Sequence, residues 1–272
     1  MNYTDINARA IDSWVKEGWE WGQPISHETY EKALRGEWDV LLTPTKPVPH
    51  AWFGDLKGKR VLGLASGGGQ QMPVFAALGA ACTVLDYSEE QLKSENLVAA
   101  REGYEIEIVR ADMTKPLPFA DESFDLIFHP VSNCYIKDVQ HVWNECARIL
   151  KKGGRLLSGL DNGLNYAFND EQTELIQVLP FDPLSDEKLM QQCIENDDGV
   201  QFSHTIEEQI GGQIRAGLTL RDVYGDIWQI ARLGQFNVPT FWEHDRDDDH
   251  FHKRTPKALN RAFNNKSGTV DF

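Results

Sequence analysis

Five short apolar runs recur in residues 60–160, separated by stretches with helical punctuation, and this alternation most constrains how the chain can fold. The runs are "RVLGLA" from Arg60, "CTVLD" to Asp86, "EIEIVR" to Arg110, "FDLIF" to Phe128 and "GRLLSGL" to Leu160. Strands joined through helices pair in parallel, and a parallel sheet needs helices on both faces. Pro73 stands near the start of "QQMPVFAALGA", Ser88 and Gln91 have capping-box spacing in "SEEQL", and Asp138 is the expected N-cap of "DVQHVWNECARILKKGG". The lysines and glycines closing that last stretch suit a helix C-terminus. A second capping-box pair, Thr205 and Glu208, opens "HTIEEQIGGQIRAG", and "LTLRDVYGD" and "VPTFWEH" read as two edge strands. The expected fold is α/β, a Rossmann-like, seven-stranded, mostly parallel sheet with helices on both faces.

Residues 1–50, with Trp14, Trp19, Trp21 and Trp38, read as an N-terminal helical cap of amphipathic helices over the sheet edge, ending in the connector "TPTKPVPH". The main domain spans 51–244, and within it residues 162–203 break the rhythm and read as an inserted lid, partly helical around "SDEKLMQQCIEN". Residues 245–272 form a charged C-terminal tail. The 42 acidic against 27 basic residues give a formal net charge of -15, which argues against nucleic acid or an anionic membrane and favours a small-molecule partner. No run approaches the ~20 apolar residues of a membrane span. The four cysteines form no CxxC pair, which argues against a structural zinc site or a disulfide framework and suits a cytoplasmic protein. His244, His250 and His252 in "EHDRDDDHFH" match no ligand spacing, so this segment reads as a solvated acidic loop and no metal is expected.

"VLGLASGGGQQ", residues 61–71, lies between the first strand and a helix, where Gly67 and its glycine neighbours let the backbone approach a ligand. Such a turn also suits NAD enzymes. Asp86, ending the second strand, can accept from both hydroxyls of an unphosphorylated ribose. With "RADMTKPLPFADESFDLIF" and "ARILKKGG" following in order, the chain resembles the class I S-adenosylmethionine-dependent methyltransferases, in particular the subgroup of ubiquinone and menaquinone C-methyltransferases. The resemblance covers residues 58–161 and, more loosely, 204–244. It implies that Asp86 binds the ribose with Tyr87 beside it, Asp112 the adenine amino group, and that Met113 lines the adenine. It also implies that Gly67 and Gly69 pass under the methionine part. The family usually has an acid at Gly63 and a glycine at Ala65. Ala65, Ser66 and Gln70, with Gln71, are read as keeping the turn and replacing the lost hydrogen bonds.

Methyl transfer from S-adenosylmethionine, leaving S-adenosylhomocysteine, asks mainly for positioning. "HPVSNCY" after the fourth strand therefore offers His129, Asn133 and Tyr135 to the methyl group. His129 stands as general base or as a cofactor-lining residue without proton transfer. The small-molecule acceptor is placed between residues 10–38 and 162–204, with Tyr166 and His204 in its wall, and the tryptophans there suit either core packing or a cage for a cation. Two other functions share the pocket: a catalytically silent binder, and an aminopropyl-transfer or nucleotide-linked redox enzyme.

Overall fold

The structure is a computed structural model and describes residues 2–169, 173–228 and 235–244. The five apolar runs become β1 (Arg60–Leu64), β2 (Ala81–Asp86), β3 (Ile106–Arg110), β4 (Phe124–His129) and β5 (Leu150–Asp161). All are parallel where they pair. Successive side chains of β1 enter opposite faces: Val61 joins one buried cluster while Leu62 and Leu64 join the other. That two-sided burial is why these runs are apolar throughout.

β8 (Gln235–His244) runs antiparallel to β5, and β6 (Leu218–Val223) pairs with its far side. The continuous path is β3-β2-β1-β4-β5-β8-β6, seven strands, and the short β7 (Asp226–Trp228) pairs with β8 off that path. Only β6 of the two strands expected at the edge lies there. β8 is interior, with Trp242 buried and Thr240 hydrogen-bonded to Ser158 at 2.8 Å.

One face is covered by α5 (Val139–Ile149), through Val142, Trp143 and Cys146. The other carries α2 (His27–Leu34) and α3 (Gln71–Ala77), through Ala33, Val74 and Phe75. Asp138 caps α5 as expected, accepting from the His141 N–H at 3.2 Å. The helix stops at Ile149, however, and the lysines and glycines after it lie inside β5. Leu150 already pairs with Phe124, so the segment up to Arg155 bulges out of the ladder instead of closing the helix. The Thr205–Glu208 box closes in both directions, Glu208 N–H to Thr205 Oγ1 at 3.1 Å and Thr205 N–H to Glu208 Oε2 at 2.8 Å. It opens a wide π turn, Glu207–Gly211, that runs into α7 (Gly212–Arg215).

The N-terminal segment departs from the expectation of an amphipathic cover on the sheet edge. α1 (Tyr3–Lys16) packs against α4 (Glu89–Glu102), and the residues it buries are Thr4, Asn7, Ala8 and Ala10, small and polar. The reason is what lies beneath: α1 faces a cavity at the carboxyl ends of the strands. The inserted segment contains α6 (Glu187–Glu195) within 162–203, as its composition suggested. The charged tail, with His250 and His252, lies outside the described residues.

Candidate active site

The first strand delivers the chain into a bend whose geometry follows from its small residues. Ala65 has φ 47°, a left-handed value that glycine adopts more readily, and its N–H donates to Leu85 O at 2.8 Å. At Gly63 a Cβ would stand 2.8 Å from Met72 Sδ, so the thioether of α3 fills the space an acidic side chain would need. Gly67 is the tightest point: a Cβ there would fall 2.6 Å from Gln91 Cβ and 3.0 Å from Asp86 Oδ2. Its N–H donates to Asp86 Oδ2 at 3.1 Å, and the Ser88 N–H donates to Asp86 Oδ1 at 3.0 Å. Asp86 takes the place of the capping-box partner: Ser88 Oγ caps α4 by accepting from the Gln91 N–H, while the Gln91 side chain turns away. Burial raises the Asp86 pKa; backbone N–H donors, chiefly those of Ser88 and Gly67, oppose that shift and the Asp12 carboxylate adds to it.

Above this bend lies a cavity of about 400 Å³. Ala65, Ser66, Gly67, Gln70, Asp86 and Tyr87 line one end, continuing to Asp112 and Met113. Asp112 accepts from the Thr114 N–H at 2.9 Å and from Thr4 Oγ1 of α1 at 3.0 Å. Tyr87 O–H donates to Asp5 Oδ1 at 2.8 Å, and Asp12 accepts from Ser88 Oγ and the Glu90 N–H. α1 therefore roofs this end through hydrogen bonds to the same groups that border the cavity. Residues 20–25 strap the bend from outside: Gln70 Nε2 donates to Glu20 O and Gln23 O, and Ile25 N–H donates to Gly69 O at 2.9 Å.

The other end is walled by Trp19, Trp21, Leu41, Pro44, Tyr135 and Tyr166, with Cys134 and Asp161. The 41–44 segment, which runs into the connector "TPTKPVPH" at Thr43, is part of this wall. Its Leu42 carbonyl accepts from Val131 N–H and passes so close to β5 that a Cβ at Gly159 would fall 2.3 Å from it. Asp226 pins the same segment through Thr43 Oγ1 at 2.7 Å and the Thr45 and Lys46 N–H groups at 3.0 Å. Burial alone would raise the Asp226 pKa, but these donors hold it below the usual value. Of the insertion's described residues, only those near its two ends reach the cavity, among them Tyr166 and Gln201. Tyr166 O–H donates to Gln201 Oε1 at 2.7 Å.

Four of the residues singled out from sequence lie elsewhere. Gly69 turns its N–H to Glu95 Oε1 at 2.8 Å, and a Cβ on it would strike Val98 and Ser94 of α4, so its role is close helix packing. His129 is fully buried behind the wall. Its Nδ1–H donates to Leu64 O at 2.9 Å and its ring stands edge-on to Trp143. Desolvation pushes its pKa down to about 4, and Nε2 has no hydrogen-bond partner, so it is a neutral core histidine and not a base at the methyl group. Asn133 Nδ2 donates to Gln209 Oε1, and its carbonyl meets His204 Nε2 at 3.1 Å. The pair ties the fourth strand's exit to the segment after the insertion without bordering the cavity.

Sequence reasoning missed Glu95, Thr4, Asn7 and Asp161. Asn7 Nδ2 donates to Tyr135 O and Val200 O, and its Oδ1 accepts from Val200 N–H, so one side chain joins the cap to both neighbours. A readable signal existed for Asp161, since it ends β5 as Asp86 ends β2.

The residues fit an adenosine-bearing donor on two counts: the absence of a side chain at Gly67 lets the bend lie directly against Asp86, so that both border the cavity, and buried Gln91 Oε1 beside them has no hydrogen-bond partner in the protein. Residues 62–158 match the family model described as a methyltransferase domain. The chain is 42% identical over 227 residues to the uncharacterized methyltransferase YbaJ of Bacillus subtilis, covering 81% of this chain and 89% of that one. Among solved structures, an S-adenosylmethionine-dependent methyltransferase from Mesorhizobium loti superposes with TM-score 0.57 at 20% identity, covering 71% of this chain and 94% of that chain. The YcgJ protein of Bacillus subtilis superposes with TM-score 0.54 at 16% identity, covering 82% of this chain and all of the other. The chain belongs to the class I S-adenosylmethionine-dependent methyltransferases, and its activity is transfer of a methyl group from that donor to an acceptor. No helix among the described residues is long and apolar enough to cross a membrane, and no group of three or more metal-binding side chains occurs among them.

Proposed function

We propose that the donor lies along the Ala65–Met113 end of the cavity and that a small-molecule acceptor occupies the end walled by Trp19, Trp21, Tyr135 and Tyr166. The observation that carries this is Asp86, fixed by two backbone N–H groups against the Gly67 bend and lining the cavity. In this reading Asp86 accepts from the ribose hydroxyls, Asp112 accepts from the adenine amino group, and Met113 packs on the ring. Ser66 and Gln71, hydrogen-bonded to one another at 3.0 Å, stand with Gln70 where the methionine part would end. When bound, the donor supplies a methyl group already activated on a sulfonium sulfur. The protein's share is positioning and exclusion of water, done by α1, the 20–25 strap and the 41–44 segment. His129, buried away from the cavity, takes no proton from the acceptor in this reading. A cytoplasmic location belongs to the same reading, supported by four free cysteines, three of them buried.

Calorimetry with S-adenosylhomocysteine tests the donor site. Wild-type protein is expected to bind it, and Asp86→Ala to bind about tenfold to a hundredfold more weakly, the ~1.5–3 kcal/mol of a lost hydrogen bond to a charged group. Equal affinity in the two proteins removes Asp86 from the site, and tighter binding of NAD overturns the donor assignment.

A further inference from the structure

We infer that the acceptor is an amine that attacks as its neutral form, and that Asp161 is the carboxylate facing the positive charge that arrives on its nitrogen. The inference rests on the donor reading above and adds the acceptor's chemical class.

The first argument is what can take a proton. A hydroxyl or a carbon acid is ionised before or as it attacks, which needs a nearby base that titrates in the working range. With His129 buried behind the wall, the titratable side chains lining the cavity among the described residues are aspartates, tyrosines and Cys134. Burial pushes Tyr135, Tyr166 and Cys134 upward and the hydrogen bond to Asp5 raises Tyr87, so none supplies a phenolate or thiolate near neutrality, while each of the three aspartates is held as an acceptor of backbone N–H groups. An amine brings its own lone pair and needs no such base.

The second argument is charge. Asp86, Asp112 and Asp161 line the cavity, and among its described lining residues there is no lysine, arginine or histidine. An anionic acceptor, a carboxylate, phosphate or phenolate, would give up hydration there without a counter-charge from these walls. Transfer to an amine has the opposite demand. The nitrogen lone pair forms the new N–C bond, the S–C bonding pair stays on sulfur, and the positive charge moves from sulfur to nitrogen. The proton on nitrogen leaves afterwards to water. A fixed carboxylate and aromatic faces at the nitrogen end stabilise that displaced charge.

Position singles out Asp161 of the three. Asp86 and Asp112 border the donor end, whereas Asp161 ends β5 beside Tyr135, Tyr166 and Cys134, all of whose pKa values its charge raises. It is 7% exposed, and Oδ1 accepts from the Gly163 N–H, which fixes the carboxylate in the turn after the strand.

The test uses full-length protein and donor labelled in the methyl group. After S-adenosylhomocysteine binding is established, transfer is measured to panels of primary and secondary amines, phenols, carboxylic acids and thiols. Label is expected in amines, with kcat/KM rising with pH toward the amine's own pKa. Asp161→Asn, whose amide oxygen can still accept from Gly163, is expected to lower kcat/KM by about tenfold or more while leaving S-adenosylhomocysteine affinity within a factor of ~3. Asp161→Glu is expected to recover part of that loss. Transfer to phenols, acids or thiols but not amines overturns the inference, as does donor binding without transfer to any amine. If Asp161→Asn loses donor affinity as much as turnover, Asp161 holds the donor and the assigned role is wrong. Absence of S-adenosylhomocysteine binding by wild-type protein instead fails the donor reading itself.

Discussion

The two ends of the cavity are built from different kinds of chain. The donor end is made by strand termini and the turns directly after them: Ala65 to Gly67 follow β1, Asp86 ends β2, and Asp112 comes two residues after β3. The end proposed for the acceptor is made by segments that reach over the sheet from a distance, Trp19 and Trp21 from the N-terminal region, Leu41 to Pro44 from the segment running into the connector, Tyr166 and Gln201 from the insertion. In the first case, the parallel pairing that forms the sheet also places the site. In the second, each wall depends on long-range ties such as those of Asn7 and Asp226. On the proposed placement, donor geometry is inherited from the fold, while acceptor geometry is set by whichever segments cross it.

The sharpest way to break this contrast is at Gly67. Gly67→Val puts side-chain atoms where Gln91 Cβ and Asp86 already stand, and it is expected to remove measurable S-adenosylhomocysteine binding by calorimetry. Retained binding would mean the donor end does not depend on that bend. Asn7→Ala tests the other end. Loss of its three hydrogen bonds is expected to cost about 1–3 kcal/mol in urea unfolding and to raise the acceptor KM, with donor affinity changed less than the acceptor KM. A larger loss of donor affinity than of acceptor affinity would merge the two ends into one unit.

Smaller effects come from two buried titratable groups beneath the site. Burial raises Glu95 to about 8, so the folded protein keeps this proton after the unfolded chain has lost it. Its contribution to stability therefore declines as pH rises from about 4.5 to 8, and Glu95→Gln should gain in melting temperature relative to wild type across that window. His129 has the reverse sign: with a folded value near 4 it stays neutral where the unfolded ring is charged, so its contribution is complete above about 6.5 and lost as pH falls toward 4. His129→Asn should flatten that part of the acid unfolding curve and leave the pH dependence of methyl transfer unchanged. A shifted pH optimum would restore the histidine to the chemistry.

The donor end was legible in sequence because its residues sit at fixed points in a periodic pattern: an acid at a strand's end and small residues after an apolar run need no knowledge of distant contacts. The same pattern misled at Gly69 and His129. Both occupy expected positions along the chain, but the bend turns Gly69 toward α4 and the strand buries His129 beneath it, directions that spacing does not encode. The acceptor end was legible only as a region. Thr4 and Asn7 are polar residues on a helix face that becomes buried, and sequence alone does not distinguish that from a solvated face. Leu41 and Leu42 draw no reading from sequence, and Thr43 and Pro44 read only as the start of a connector, because the segment's place over β5 depends on Gly159, more than a hundred residues later, having no side chain to obstruct Leu42.

The strap of residues 20–25 grips the bend through Gly69 O and Gln70, and the tryptophan just before it, Trp19, and the one within it, Trp21, both line the cavity. One stretch of backbone therefore borders both ends of the cavity, and so both reactants as proposed. Grafting a foreign N-terminal segment to change acceptor choice would also loosen the clasp on the cofactor, so in this enzyme a new specificity has to be selected together with a preserved hold on the methyl donor.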